Sequence, residues 1–497
     1  MAGADVTGAP AVANPRNRLR AAWLVAGAAM MLAPAAWAAP PSALDAAIDA
    51  YRPRMAEVAR EIWEHPELGY QETRASALLQ DELAEAGFEL ESGIAGMPTA
   101  FVARAGNGKG PVIALLAEMD ALPGMSQAAS PVRSEGGEQE AGHACGHNLF
   151  AAGSVAAARA IAKWLADTGT DGEVRVYGTP AEEGGSGKVY LVRAGAFDDV
   201  DVVLHWHPAA GNSAAQTRSL ANISGIFHFS GTASHAAIAP ERGRSALDGV
   251  EALDFMANLM REHVPQDTRI HYVISNGGAA PNVVPERAAV YYYVRHPEPD
   301  VVRSVFARLQ AAAQGAAQGT GTQARFEQVG GVYSLLPNDT LGRVLDESLR
   351  AVGGVEYAEG DRAFAVELQQ TLQSPPSLAV VGEIEAYSSD GQSHASTDVG
   401  DVSWSVPTAG VSTATWVPGT AAHSWQAVAA SGHPIGAAGT EVAARTLALA
   451  ASRLFTDPSL VEQARQEFER RRGPGFSYRP LLERDAPPLD YRAPKPD

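Results

Sequence analysis

The 497-residue sequence predicts an α/β fold: a mixed, mostly parallel sheet with helices on both faces forms a catalytic domain, into which a smaller α+β lid or dimerisation domain is inserted. Three observations predict it. Short, continuous apolar runs alternate with helical periodicity in the first half; the middle of the chain turns to period-two strands; and the first texture returns from about Tyr333. The length exceeds the roughly 250–300 residues at which one hydrophobic core stops growing. A hydrophobic share of 46% and a charged share of 19% are ordinary for a globular chain and exclude a wholly disordered one.

Taken in order, residues 1–38 read as a secretory signal peptide. Arg16, Arg18 and Arg20 precede an apolar run that ends in the small-residue pattern Ala36-Trp37-Ala38. The run is short of the ~20 apolar residues of a membrane span and contains Pro34, so stable membrane insertion is not expected. Export to the periplasm or beyond is the implied location. Residues 45–62 place Ile48, Tyr51, Met55, Val58 and Ile62 three and four apart, an amphipathic helix with Pro53 near its start.

Residues 112–117 form a buried strand that delivers Glu118 and Asp120 into a Pro/Gly turn. A polar loop over 124–142 leads to His143-Ala144-Cys145-Gly146-His147 and then to an alanine-rich helix near 149–166. A strand at 173–178 gives way to Glu182-Glu183-Gly184-Gly185, and one at 200–204 ends in His205-Trp206-His207-Pro208. Parallel sheets place their sites at the carboxyl ends of strands, and each of these polar clusters falls at such an end.

The first part of the catalytic domain is expected over 42–218 and the inserted domain over 219–332, with strands at 223–229 and 288–294 and helices at 246–262 and 301–314. Residues 333–455 return to the catalytic domain and supply a last cluster around His423-Ser424-Trp425. A charged, Pro-rich tail occupies 456–497, as one helix and then extended chain.

The formal charge of −19 opposes nucleic-acid and anionic-membrane partners and otherwise means solubility. Cys145 is the single cysteine, so no internal disulfide forms. Cys145 and His147 lie two apart in a glycine-bearing turn and can face one point. With Glu182 and Glu183, one of His205 or His207, and His423, they offer enough N, O and S donors for two divalent ions. In the acidic doublet one carboxylate can ligate while the other acts as general base. A nucleophilic Cys145 paired with His147 is the competing reading, but a tight turn suits shared metal binding better. No Gly-x-Ser-x-Gly elbow is present, and Gly184-Gly185-Ser186-Gly187-Lys188 lacks the spacing of a phosphate-binding loop.

Five strings in this order resemble the M20 family of metallo-amidohydrolases and peptidases, and especially its auxin-conjugate and aminoacylase-like branch. They are His65-Pro66-Glu67-Leu68, Met119-Asp120-Ala121-Leu122-Pro123, His143 through His147, Pro180 through Gly185, and Gly231-Thr232-Ala233-Ser234-His235-Ala236. Trp206-His207-Pro208, Pro281-Asn282-Val283-Val284-Pro285, Ser396 through Asp401, and His423-Ser424-Trp425-Gln426 are closer still to the branch that hydrolyses p-aminobenzoyl-glutamate. Asn148 departs from the aspartate usual at its position.

The resemblance implies that Cys145, His147, Glu183, His207 and His423 bind two Mn²⁺ or Zn²⁺ ions, that Glu182 is the catalytic base, and that Asp120 orients a ligand. It implies further that His235 reaches from the lid to the oxyanion, in some relatives across a dimer interface, and that Asn282 and Arg295 grip a substrate carboxylate. A small-molecule amide substrate, a homodimer and a second related subunit are the partners it suggests. A dipeptidase, a hydrolase of another amide, or a catalytically silent metal-binding subunit are the alternative functions.

Overall fold

Runs of β-branched and aromatic residues bounded by glycine and proline become strands, and the alanine-rich segments between them become helices. The computed structural model describes residues 42–134 and 141–492; the leader expected over 1–38 lies outside them. The strands in chain order are β1 (Glu89–Ser92), β2 (Phe101–Gly106), β3 (Val112–Glu118), β4 (Leu122–Pro123), β5 (Ala141–Gly142), β6 (Glu173–Thr179), β7 (Val202–Ala209), β8 (Ala221–Ser230), β9 (Arg269–Asn276), β10 (Arg287–His296), β11 (Gln323–Val332) and β12 (Thr408–Ala414).

Six of these form one sheet in the order β1-β2-β6-β3-β7-β12. The pairings of β6 with β3, β3 with β7 and β7 with β12 are parallel, and those at the β1 edge antiparallel. Apart from its first residue, β3 is buried along its whole length, which requires cover on both faces of the sheet. Helices α1 (Ser42–Glu64), α2 (Thr73–Glu85), α3 (His147–Thr168) and α4 (Gly187–Arg193) belong to the first part of this layer. Helix α3 is apolar enough to cross a membrane, but 78% of that apolar stretch is buried inside the protein. Asn148 at its start donates to Ala59 O and Ser431 O, both at 3.0 Å, tying α3 to α1 and to the later chain.

The second sheet is antiparallel, β11-β8-β10-β9, and α5 (Ala246–Met260) and α6 (Pro299–Thr320) pack on it. Period-two alternation turns Phe227, Phe229, Val290 and Tyr292 into this second core and leaves Asn222, Ser224, Tyr291, Tyr293 and Arg295 on the opposite face. Strands β9 and β11 are additions to the sequence reading. β9 is an edge strand whose residues are mostly exposed, so it lacks the clean alternation that marks a half-buried strand.

After β11 come α7 (Asp339–Val352), α8 (Glu359–Gln369), α9 (Val399–Ser403), α10 (Trp425–Ser431), α11 (Pro434–Thr456) and α12 (Pro458–Arg472). One boundary differs in a way that affects the site. β7 runs to Ala209 because its ladder with β12 continues that far, so His205 and His207 stand within the strand instead of beyond its end. Trp206 between them points the other way and is fully buried.

Candidate metal centre

Asp120 follows β3, Cys145 and His147 occupy the turn into α3, Glu182 and Glu183 follow β6, His207 lies on β7, and His423 precedes α10. Apart from Asp120, these residues and Glu118 at the end of β3 bring donor atoms together in groups, each held within 4.8 Å: Cys145, His147 and His207; Cys145, Glu183 and His423; and Glu118, His147 and Glu182. Cys145 belongs to the first two, so one thiolate can serve two ions.

Hydrogen bonds decide which ring nitrogen is free. His147 Nδ1 lies 3.0 Å from both Asp120 O and Asp120 Oδ1. A carbonyl only accepts, so Nδ1 carries the proton and Nε2, 3.1 Å from Glu118 Oε2, keeps its lone pair in the neutral ring. His207 Nδ1 in the same way donates to Pro208 O at 2.8 Å, which leaves Nε2 facing Cys145 Sγ at 3.4 Å. Asp120 also accepts from Glu183 N through Oδ2 at 2.9 Å, so one carboxylate orients two members of the cluster.

His205 shares a strand face with His207 but sits against β12, where a Cβ on Gly410 would lie 2.4 Å from its ring. It belongs to none of the donor groups among the described residues, and burial lowers its pKa to about 4. His423 adopts a left-handed φ of 59° and sets Nε2 3.3 Å from Glu183 Oε1. The hydrogen bond to Glu183 raises its pKa.

Burial, and next the Glu183 carboxylate, raise the pKa of the Cys145 thiol, the environment in which a cation is needed to yield a thiolate. Burial and the nearby Glu118, Glu183 and Asp398 carboxylates hold Glu182 well above the usual carboxylate range. Beneath the cluster the fully buried Lys188 puts Nζ 2.7 Å from both Glu118 Oε1 and Asp398 Oδ1. Although burial opposes its charge, Lys188 and then His147 hold Glu118 below the usual range.

The buried Glu118 Oε2 and His147 Nε2 face each other at 3.1 Å, and the buried Glu183 Oε1 has only His423 Nε2 near it at 3.3 Å, so none of the three is fully satisfied within the protein. Unspent lone pairs beside a thiol and imidazoles fit divalent cations, whose coordination would satisfy them. The cluster opens into a cavity of about 800 Å³, with Glu182, Glu183 and His423 on one side and Tyr291, Tyr293 and Arg295 of β10 on the other. A larger groove of about 920 Å³ between α1 and α3 has no histidine or cysteine in its lining and no donor set to match.

Arg295 Nη1 donates to Ser396 Oγ at 3.1 Å, so it reaches the cavity from the lid. His235 and Asn282 do not line that cavity. His235 is exposed, with Nδ1 accepting from Ala237 N and Ile238 N, both at 3.2 Å. Asn282 lies beside it, its carbonyl accepting from Ala236 N at 3.0 Å. From sequence, Glu118 reads only as a strand end, Lys188 only as part of a failed phosphate loop, and Tyr491 and Arg492 only as tail. A lone lysine within the apolar α4 run is the available signal for the buried ion pair.

Residues 114–426 match the sequence profile of peptidase family M20/M25/M40. The chain is 40% identical to one of the subunits of the p-aminobenzoyl-glutamate hydrolase of Escherichia coli (strain K12), covering 86% of this chain and 94% of that protein. It is 31% identical to the Xaa-Arg dipeptidase of Mus musculus, covering 85% and 90% respectively. Among solved structures, a dinuclear metal-binding peptidase of the M20 family from Bacillus subtilis matches with a TM-score of 0.55 and 20% identity, over 82% of this chain and 99% of that one.

Proposed function

This chain belongs to peptidase family M20/M25/M40, and from that premise we propose that it hydrolyses the amide bond of an N-acyl amino acid, with p-aminobenzoyl-glutamate the substrate and p-aminobenzoate and glutamate the products. One observation carries the reading: two donor groups share Cys145, while Glu182 stands beside them outside both. The family is one of metal-dependent hydrolases, and two divalent ions supply Lewis acidity and lower the pKa of a water from about 15.7 to near 7.

The proposed roles divide by position. Cys145, His147, Glu183, His207 and His423 hold the two ions, Mn²⁺ or Zn²⁺, with Asp120 fixing His147 and the Glu183 peptide. Glu182 takes a proton from the attacking water and returns it to the departing amine. Arg295, on the far wall of the cavity, pairs with the substrate carboxylate. His235 and Asn282, exposed at the lid edge, act in the cavity of a second copy, His235 steadying the oxyanion. The same surface suits a second, related subunit. The Arg-led apolar run and small-residue pattern of the leader support export, and we propose a periplasmic or secreted location.

Glu182→Gln is expected to lower kcat by about 10²–10⁴-fold while two ions remain bound, measured with p-aminobenzoyl-glutamate and by metal analysis. Substantial residual turnover by that variant rejects Glu182 as base. N-acetyl amino acids and dipeptides assayed alongside, with and without chelator, separate this substrate from the alternatives. If dipeptides are the better substrates, the chain is a dipeptidase of the same chemistry.

A further inference from the structure

The segment after α12 returns to the metal centre and closes on the turn that carries the two glutamates. Leu481 and Leu482 are buried, and Gln328 holds this stretch by donating to Leu481 O at 2.7 Å and accepting from Glu483 N at 2.8 Å. Further along, Gln71 Nε2 donates to Leu489 O at 2.6 Å and the Tyr491 ring meets Tyr70 edge-on at 5.7 Å. Arg492 Nη2 then donates to Glu183 O, its Nη1 donates to Ala121 O at 3.4 Å, and Tyr491 OH donates to Glu183 O at 3.3 Å.

That carbonyl matters because the turn is held in conformations it would not adopt unaided. Ala181 and Ser186 have φ of 57° and 58°, and Gly184 has φ of 102°, so two non-glycine residues occupy the left-handed region. External bonds compensate at several of its peptides: Glu72 Oε1 accepts from Ala181 N at 2.8 Å, Tyr70 OH donates to Gly185 O at 2.7 Å, and Asp120 accepts from Glu183 N. Arg492 completes the set. The Glu183 residue is thus gripped at its N–H by Asp120 and at its C=O by Arg492.

We propose that Arg492, seconded by Tyr491, is a positioning residue of the active site. By clamping the Glu183 carbonyl it keeps the Glu183 carboxylate in the donor group with Cys145 and His423 and leaves the neighbouring Glu182 free as base. Two backbone carbonyls engage its guanidinium from the side of the turn, an arrangement that a planar fork satisfies and an ammonium satisfies only in part. The inference rests on the reading of Glu183 as a ligand, but the metal-affinity arm of its test does not require the substrate to be known.

The experiment compares full-length wild type with Arg492→Ala, Arg492→Lys and Tyr491→Phe, measuring Mn²⁺ and Zn²⁺ affinity by chelator competition and then kcat and KM. Arg492→Ala is expected to weaken metal binding and lower kcat, each by about 10–100-fold, with KM nearly constant; Arg492→Lys recovers part of both losses, and Tyr491→Phe shows a smaller loss. Unchanged metal affinity in Arg492→Ala overturns the proposal, as does a rise in KM alone, which would mean that Arg492 grips substrate. If Arg492→Ala does not fold, the lysine and phenylalanine variants decide by the same measurements. Wild type that binds both ions but turns over no amide tested would count against the proposed substrate and leave the metal-affinity comparison standing.

Discussion

At the scale of single residues, Asp120 shows how one carboxylate can govern a site it does not enter. Its Oδ1 receives the His147 ring and its Oδ2 the Glu183 N–H, so the two residues cannot move independently. Asparagine has one acceptor oxygen where aspartate has two. Asp120→Asn is therefore expected to weaken metal binding about 10–100-fold, read by chelator competition; unchanged affinity would mean that the Asp120 carbonyl and the packing against Phe150 set the ring without the carboxylate. Cys145, His147, Glu182, Glu183, His207 and His423 are visible in the sequence because each lies in a short polar cluster at a strand end or turn. Lys188 and Arg492 are not, since what gives them meaning is distant: Asp398 lies 210 positions from Lys188 and Glu183 lies 309 from Arg492. His205 and His207 cannot be told apart from spacing alone, because a strand puts both on one face. The difference comes from the neighbour, Gly410 of β12 leaving the space that the His205 ring fills.

At the scale of elements, the turn into α3 makes stability and chemistry inseparable. Gly146 has φ of 74°, and a Cβ there would come within 2.8 Å of Pro208, between the two donors Cys145 and His147. Gly146→Ala is expected to cost about 1–3 kcal/mol of stability in urea unfolding and to weaken metal binding as well. If only stability fell, the turn would matter to the fold and not to the donors. The short helix α9 makes a second case, because Asp401 joins three parts of the chain: Oδ1 accepts from Tyr478 OH at 2.7 Å and Oδ2 from Tyr333 N at 2.9 Å. Burial raises its pKa to about 7, whereas an unfolded aspartate titrates near about 3.9. Between those values the folded chain holds a proton that the unfolded chain has released, so stability falls as pH rises, by at most about 1.4 kcal/mol per unit, and levels off above about pH 7. Asp401→Asn should flatten that slope between about pH 5 and 7 in urea titrations, and curves parallel to wild type would refute it. Central elements such as β3 and α3 are readable because burial on both faces leaves continuous apolar runs. β9 leaves no such signal because its side chains face solvent.

At the scale of the whole molecule, the lid is where a single copy of the chain leaves large apolar side chains exposed. Phe255 and Leu259 of α5, 66% and 55% exposed, Val273 of the edge strand β9 at 59%, and Ile238 beside His235 at 78% are large apolar side chains that this domain leaves uncovered. Surfaces of this kind mark contacts with a partner, and an unpaired edge strand invites one. His235 and Asn282 emerge on this same domain and do not line the cavity that holds Glu182 and Arg295. The fold class and the inserted position of the lid follow from texture changes along the sequence, but which cavity a lid residue serves depends on assembly and leaves no local pattern. Mixing two inactive variants tests the point. If His235 acts in the other copy's cavity, a dimer of Glu182→Gln with His235→Ala contains one cavity with Glu182 from one chain and His235 from the other, and that cavity works. If His235 acts in its own chain, every cavity in the mixture lacks one of the two groups and none works. Activity that appears on co-refolding the variants, at up to about a quarter of wild type for random pairing, is the expected result. No gain over either variant alone would put His235 back in its own subunit and require the lid to close over its own site.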